Sequence, residues 1–372
     1  MRSQAPRLSV LGDGRLEIAD PDLGCLPLLK SLDPLFEIRQ APLARFSGPR
    51  CVRAKFLGTG LEIDSLPDLT EEDLWALHEE QLAILGTNET IRRAPGEASV
   101  LDLKTELGLR VLRRCRLCAR LCGADRGRGA GPCRLGRHGI VAEHFVHIGE
   151  EPPINPSLVL SLAGCSLRCR HCQQAWLLEP AEVAGEALDE SLWERLDLTG
   201  ARSMSFVGGN PSESLPAALS FLSGVPDGWH LPIVWNCHGY ESAETLALLR
   251  GVVDVYLPDF KYGNDRCAEE LSIVPGYVET AAKAVAEMLQ QGVPVIVRIL
   301  VLPGHVECCH RPAIDRLAHM MGRENVFLSV RGQYSPDHLI TGRDADLARR
   351  PTAEECARVR EHAEALGLTL IA

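Results

Sequence analysis

Cys165, Cys169 and Cys172 follow one another at spacings of three and two residues, directly after the apolar run Ser157-Leu-Val-Leu-Ser-Leu162 and the turn Ala163-Gly164. A tight loop with this spacing can direct three thiolates to three corners of one [4Fe–4S] cube and leave the fourth iron without a protein ligand. An open coordination position is also what separates a catalytic metal from a structural one. A zinc knuckle would need a fourth ligand, and His171, the one nearby, sits at a poor spacing. The spacing therefore points to iron–sulfur.

A second group lies upstream: Cys115, Cys118 and Cys122, then Cys133. The run between them, Gly123-Ala-Asp-Arg-Gly-Arg-Gly-Ala-Gly-Pro132, is too rich in glycine for a regular element and reads as a loop returning Cys133 to the other three. Four thiolates close either a tetrahedral zinc site or a complete iron–sulfur cluster. Arg113, Arg114, Arg116, Arg120, Arg126 and Arg128 make this the most basic stretch of the chain. They can offset thiolate charge, meet a phosphate-bearing partner, or form a solvated basic loop. The remaining cysteines, Cys25, Cys51, Cys237, Cys267, Cys308, Cys309 and Cys356, are scattered, and most of them read as small buried hydrophobes.

Composition bounds the setting. The 372 residues carry a net charge of −11 and are 45% hydrophobic, enough to bury a core. The acidity argues against a broad nucleic-acid or anionic-membrane footprint. No run of about 18 apolar residues predicts a membrane span, and Met1-Arg-Ser-Gln-Ala-Pro-Arg7 lacks the apolar core of a signal peptide. With 14 cysteines, this is the usage of a metal-binding protein in a reducing compartment, hence a cytoplasmic location.

The elements that must hold these residues follow a repeating pattern. Residues 1–105 form an α+β extension with no readable chemistry: two short strands at Leu8-Ser-Val-Leu11 and Leu16-Glu-Ile18 around Gly12-Asp-Gly14, and a helix opened by Thr70-Glu-Glu-Asp73. Residues 106–150 are a Cys-rich metal-binding segment. In residues 151–340, apolar β-branched runs alternate with polar or glycine loops and helical segments. The runs are Leu158–Leu162, Ser203–Val207, Pro232–Trp235, Val252–Leu257, Pro294–Leu302 and Asn325–Val330, with helices expected at Glu241–Arg250 and Val278–Gln291. Six such units predict a partial (β/α)6 barrel of the TIM type, followed over 341–372 by a helix and a short strand. Active-site residues of such barrels lie at the C-terminal strand ends. Those ends carry the cysteine triad, Gly208-Gly-Asn-Pro211, Asn236-Cys-His-Gly-Tyr240, Pro258-Asp-Phe-Lys-Tyr262, Leu302-Pro-Gly-His305 and Gln333-Tyr334, with Arg298 inside the fifth run. Glu150 and Glu151 read as a structural acidic turn, and His238 and His305 as pocket-lining or core histidines.

In this order, the upstream Cys-x2-Cys-x3-Cys, Gly-Glu-Glu-Pro-Pro, the triad, Gly-Gly-Asn-Pro, Asn-x-x-Gly-Tyr, Tyr-Leu-Pro-Asp-Phe-Lys-Tyr-Gly, Leu-Val-Leu-Pro-Gly and Gln-Tyr resemble the radical S-adenosylmethionine (SAM) enzymes. Within them, the match is to the pyruvate formate-lyase-activating-enzyme-like subfamily, over about residues 110–340. The resemblance implies that Cys165, Cys169 and Cys172 bind the [4Fe–4S] cluster and that His171 holds the position of the adenine-stacking aromatic. It implies that Gly208, Gly209 and Asn210 meet the SAM amino group, and that Lys261 and Arg298 contact its carboxylate or ribose. In activating enzymes the third strand end carries Asp and helps hold a monovalent cation with the fourth-strand Asp. Here those places are Asn236 and Asp259. Characterised activases with a ferredoxin-like insert carry it after the triad, whereas this chain's second cluster comes before it.

The implied chemistry is reductive cleavage of SAM to a 5′-deoxyadenosyl radical, which abstracts hydrogen from a protein glycyl group or a small molecule. Flavodoxin or ferredoxin would be the electron donor. Two readings of other classes compete: an iron–sulfur electron-transfer or assembly protein without SAM chemistry, and a zinc-dependent nucleic-acid module built on Cys115–Cys133. The second lacks aromatic interleaving among its arginines.

Overall fold

The computed structural model describes residues 7–10, 16–19, 43, 48–86, 93–320, 326–336, 340 and 345–371. β1 (Arg7–Val10) and β2 (Leu16–Ala19) pair antiparallel with Leu8 opposite Ile18, the two strands expected there. The Gly12-Asp-Gly14 turn and Cys25 lie outside the described residues. After α1 (Arg50–Phe56) and β3 (Gly58–Glu62) comes α2 (Glu71–Leu85), opened by a capping box. Thr70 Oγ1 accepts from Asp73 N at 3.1 Å while Asp73 receives Thr70 N at 3.3 Å, satisfying two otherwise orphaned donors. The same box, Ser99 with Asp102, launches α3 (Val100–Arg113) from β4 (Glu97–Ser99). α3 crosses the boundary expected at residue 105 and runs on towards Cys115.

The main sheet begins with β5 (Ile140–His147), β6 (Ser157–Leu162) and β7 (Glu186–Ala187) and continues with β8 (Ser203–Gly208). α4 (Leu215–Ser223), β9 (Ile233–Cys237), α5 (Ala243–Leu249) and β10 (Val255–Pro258) follow. Then come α6 (Asp265–Ser272), α7 (Tyr277–Gln290), β11 (Val295–Leu300), α8 (Arg311–Met320), β12 (Val326–Arg331) and α9 (Ala353–Ala365). The order across the sheet is β12-β11-β10-β9-β8-β6-β5-β7. The six strands from β6 to β12 are parallel and in chain order, while β5 and β7 extend the edge antiparallel. This is a mixed α/β fold on a parallel-dominant, open sheet. Each expected run contains a strand. Asn325 lies outside the described residues. Val252 and Val253 drop out of theirs because both amides bond Leu249 O, closing α5. Expected to start at Glu241, α5 begins two residues later, where Ser242 Oγ accepts Thr245 N at 3.2 Å.

Strand alternation sorts the residues by face. Leu158, Leu160, Phe206, Trp235, Tyr256 and Val297 join the large core under the helices. Val234, Val255, Leu257, Ile296 and Phe327 form a second, small core with Ile154. Two residues further along the same face stand Asn236, Asp259, Arg298 and Ser329, so it turns polar towards the C-terminal strand ends. Glu151, fully buried in the turn before β6, reaches Arg298 at 2.6 Å, Ser329 at 2.9 Å and Arg331 at 3.2 Å. The acidic turn is structural, as expected, and ties β6 to the far strands of the parallel run.

One buried cation is out of place for a core. Lys104 of α3 is fully buried, with Nζ 2.7 Å from His78 Nε2 of α2 and 3.4 Å from Ala247 O. Burial and Arg250 pull its pKa down to about 7, and burial and Lys104 pull His78 to about 2. Between pH 7 and 10 the folded lysine is then neutral while the unfolded one is charged, so stability rises with pH in that window. Relative to Lys104→Met, the wild-type protein should gain about 1.4 kcal/mol per pH unit over this range, read as a rising difference in Tm between pH 7 and pH 9. Replacing Glu151 by Ala removes the buried partner of two part-buried guanidinium groups, Arg298 and Arg331, and should cost about 3 kcal/mol, measured by chemical denaturation.

Candidate metal centres

The triad loop is clamped from two sides. Gly164 takes φ +87°, and a Cβ there would stand 2.5 Å from Leu135, so the turn after β6 requires glycine. Arg168 N and Arg170 N donate to Ser272 O and Leu271 O at the end of α6, and the Ser272 hydroxyl donates to Cys169 Sγ at 2.9 Å. Cys165 and Cys169 are buried and Cys172 half-buried. Burial pushes the Cys165 thiol well up, and burial with Cys169 pushes Cys172 to about 11. Three soft donors, mutually repelling as thiolates and with no fourth thiol in the loop, suit a cluster that deprotonates its ligands and keeps one iron open.

Behind Cys165 lies a network that sequence reading did not find. Cys165, Glu213 and His238 place one ligand-type atom each within 4.8 Å of the others, the one such set among the described residues. Glu213 is already spoken for: it accepts Ser166 N at 2.8 Å and the Asn210 amide, and lies 3.4 Å from His238 Nε2. Burial would raise its carboxyl, but His238, Ser166 and Asn210 hold it below the usual range. His238 stands between Glu213 and Glu241, and despite burial the two carboxylates lift it to about 9. The set is an ion-paired backing for the triad loop. Its only sequence signal was a glutamate three residues past Gly-Gly-Asn and a histidine in Asn-Cys-His-Gly-Tyr.

The remaining expected residues stand at or near the strand ends, some against the triad loop and some on neighbouring strands. His171 is buried, its ring edge-on to Tyr262 with centroids 6.0 Å apart, and its Nδ1 has no partner. Burial and then Lys261 push its pKa to about 3, so the imidazole is neutral and offers an unused polar atom beside the triad. Lys261 Nζ lies 2.5 Å from Asp259, whose other oxygen is 3.9 Å from Arg298. Burial opposes its charge, but Asp259 foremost, joined by Cys169 and Cys165 when they are thiolates, more than offsets that and holds Lys261 above its ordinary value. Gly208 and Gly209 are demanded by protein backbone: a Cβ would meet Leu162 N at 2.3 Å and Gly164 O at 2.1 Å respectively. Asn210 is buried in the Glu213 network and accepts His238 N at 3.0 Å. Asn236, half-buried, pairs in register with Leu257, one strand from Asp259. Arg298 is held by Glu151 and Glu150.

The second cysteine group is brought together and set against the first. Cys115, Cys118, Cys122 and Cys133 line one small cavity, about 10 Å³, whose wall includes Ser166 and Glu213. The glycine-rich loop is pinned by Arg126, which is buried and donates to Leu135 O, Gly136 O and Glu213 O, with a nitrogen 4.0 Å from Cys115 Sγ. Arg120 bonds Ser166 O and Ile273 O, and Arg116 pairs with Glu71 and Glu244. These arginines are engaged in the fold. Ala119 N bonds Tyr240 O, and Thr245 Oγ1 bonds Leu117 O, joining the segment to the β9 end. No three of the four Sγ atoms form a set within 4.8 Å. That spread exceeds the ~3.8 Å edge of a zinc tetrahedron with Zn–S bonds of about 2.3 Å.

Residues 159–317 match the family model of the radical SAM superfamily. Over 333 residues the chain is 30% identical to Uncharacterized protein MJ0674 of Methanocaldococcus jannaschii, covering 86% of this chain and 95% of that one. Among solved structures it is similar to a domain of pyruvate-formate lyase-activating enzyme from Bacteroides vulgatus, at 17% identity, with 38% of this chain and 80% of that one covered and a TM-score of 0.31. No helix of the described residues is long and apolar enough to cross a membrane. The chain belongs to the radical SAM superfamily and is a radical SAM enzyme.

Proposed function

We propose that the enzyme binds its [4Fe–4S] cluster through Cys165, Cys169 and Cys172 and abstracts hydrogen from a substrate presented to the polar end of the sheet's smaller-core face. When bound, cluster and SAM supply the chemistry, an electron cleaving the sulfonium to give a 5′-deoxyadenosyl radical. The chain's own residues bind, orient and exclude water. Lys261, lying beside the triad and balanced by Asp259, offers its ammonium to SAM's carboxylate. Arg298 stands on the same face to meet the ribose or carboxylate. The unpartnered Nδ1 of neutral His171 offers the adenine a polar contact beside a ring. Gly208, Gly209 and Asn210 bring the β8 loop against the triad strand, in position for the SAM amino group, and Asn236 and Asp259 flank the place of the activating enzymes' cation. The strand ends around the triad support a partial (β/α)6 barrel. Motif order supports an activating-enzyme-like member, with a protein glycyl group or a small molecule as hydrogen donor.

The observation that carries this reading is the triad loop with Lys261 and the orphaned His171 nitrogen beside it. Its test is anaerobic reconstitution with iron and sulfide, reduction, and addition of SAM, following 5′-deoxyadenosine and the cluster's EPR signal. The wild-type protein should form 5′-deoxyadenosine and shift its signal on SAM binding, and Cys169→Ala should lose both by at least about a hundredfold, as removing a cluster ligand predicts. Iron loading with no response to SAM would move the electron-transfer reading ahead.

For the second centre we favour iron–sulfur over zinc, on the wide spread of its thiols. Its wall shares Ser166 and Glu213 with the triad, and Cys122 is exposed, so this centre stands between the surface and the catalytic cluster as an electron relay from flavodoxin or ferredoxin. The reconstituted protein should hold about eight irons per chain, and a Cys118→Ser, Cys133→Ser variant about four, four irons to each cube. One zinc per chain with about four irons would overturn the relay.

A further inference from the structure

Among the described residues, three non-glycine residues adopt positive φ, and all three lie around the second cysteine group. They are Leu121 at +44° and Arg134 at +63°, each beside a cysteine of that group, and Ile273 at +55°, just past the end of α6. The left-handed region crowds Cβ against the backbone, most severely for a β-branched side chain, and helix ends that need it ordinarily use glycine or asparagine. Neither aliphatic side chain recovers that cost by burial. Leu121 is 58% and Ile273 63% exposed, the two most exposed large apolar side chains among the described residues. Their backbones are fastened together: Arg120 Nη2 donates to Ile273 O at 2.7 Å while its Nε donates to Ser166 O at 2.6 Å. Arg168 N donates to Ser272 O, and its Nη2 donates to Pro132 O at 2.9 Å. Tyr240 accepts Ala119 N on its carbonyl and donates its hydroxyl to Pro275 O at 2.9 Å. The exposed residues Leu121, Pro132, Ile273 and Pro275 thus belong to segments tied to one another, with exposed Cys122 among them.

We propose that Leu121 and Ile273 form the apolar centre of a docking surface for a small acidic redox protein, with the exposed arginines of the Cys-rich segment as its positive rim. The proposal rests on the relay reading of the second centre and names where its electron donor lands. Charge selects the partner. Residues 113–137 hold eight arginines and one aspartate in a chain whose net charge is −11. Arg116, Arg120 and Arg126 are spent inside the fold, whereas Arg113, Arg114, Arg128, Arg134 and Arg137 are exposed. An acidic partner is therefore drawn to this segment and repelled by the rest of the surface. Glu269 and Glu270, exposed on α6, bound the patch on the Ile273 side, so an acidic surface meets a positive edge on one side only and docks in one orientation. Transient electron-transfer encounters use small interfaces, with an apolar centre that excludes water and a charged rim. Covering Leu121 and Ile273 recovers the transfer free energy that the free protein leaves unused. Docking brings the partner's cofactor over Cys122: the partner is oxidised by one electron and the second centre reduced by one, with no bond formed or broken.

The test mixes the iron-loaded full chain anaerobically with reduced flavodoxin, an acidic flavin protein, or with dithionite, and follows the loss of iron–sulfur absorbance by stopped flow. This readout needs neither SAM nor a substrate. A Leu121→Asn, Ile273→Asn variant should be reduced by flavodoxin at least about tenfold more slowly than wild type, as losing the centre of an interface predicts, and by dithionite within about twofold of wild type. Its Tm should not fall, because asparagine enters the left-handed region more readily than leucine or isoleucine. Arg114→Glu should slow flavodoxin about threefold or more at low salt, a difference that closes at ~0.5 M salt. Equal slowing with both reductants would overturn the proposal. Full iron content with a flavodoxin rate indifferent to both variants would overturn the docking surface and leave the relay standing. A sensitive flavodoxin rate in a protein found to hold zinc at the second centre would support the surface and remove the relay.

Discussion

A single buried carboxylate organises the centre of this molecule. Glu213 has no access to water, so its charge survives only if the fold supplies partners for it. Each partner comes from a different part of the chain: Ser166 N–H from the triad loop, His238 from the β9 end, and Asn210 from its own turn. Its carbonyl also receives Arg126 from the Cys-rich loop. Pulling any of these away exposes the others to an unpaired buried charge. The knot therefore fixes the triad loop, the glycine turn and the second cysteine group as one unit.

Much of this was legible in the sequence, because its signals are local. Thr70 with Asp73 is a capping box that needs only three residues to close, and the apolar runs from Leu158 to Val330 announce parallel strands by their β-branched content. The triad declares itself by spacing alone. What escaped is long-range. Nothing near Glu213 in sequence says that His238, 25 positions on, will share its burial. Likewise Gly263 and Cys309 are far apart in sequence until β10 and β11 come to lie side by side and the turns after them meet, with Gly263 N donating to Cys309 Sγ at 3.2 Å. Glycine signals were read with the right location and an incomplete reason. Gly208 and Gly209 must be small first because the backbone of the triad strand lies against them.

The uneven faces of the sheet explain where chemistry can occur. The helix-covered face buries a continuous apolar core, which runs up to the triad loop at the strand ends. The other face has a small apolar base around Ile154 and then, one pleat further on, Asn236, Asp259, Arg298 and Ser329. Charges placed there need countercharges. Glu151 supplies them to Arg298 and Arg331 from the turn before β6, and Asp259 supplies one to Lys261. Arg298 is thus positioned before any ligand arrives, which lowers the ordering a substrate must impose.

The place of the second cysteine group in the chain follows from the same constraint. Because α3 leads straight to Cys115, the helix packed on α4 and the loop of thiols are continuous, and Arg116, Arg120 and Arg126 each fasten that loop to a different neighbour. A metal centre reached by flexible linkers would sit at a variable distance from the triad. Here the intervening groups are Ser166 and Glu213, both buried and both hydrogen-bonded, so the separation is set by packing. Cys122 at the surface and Cys165 in the interior are then the two ends of one rigid path. Under the relay proposed above, that path accounts for four thiols placed ahead of the sheet rather than within it.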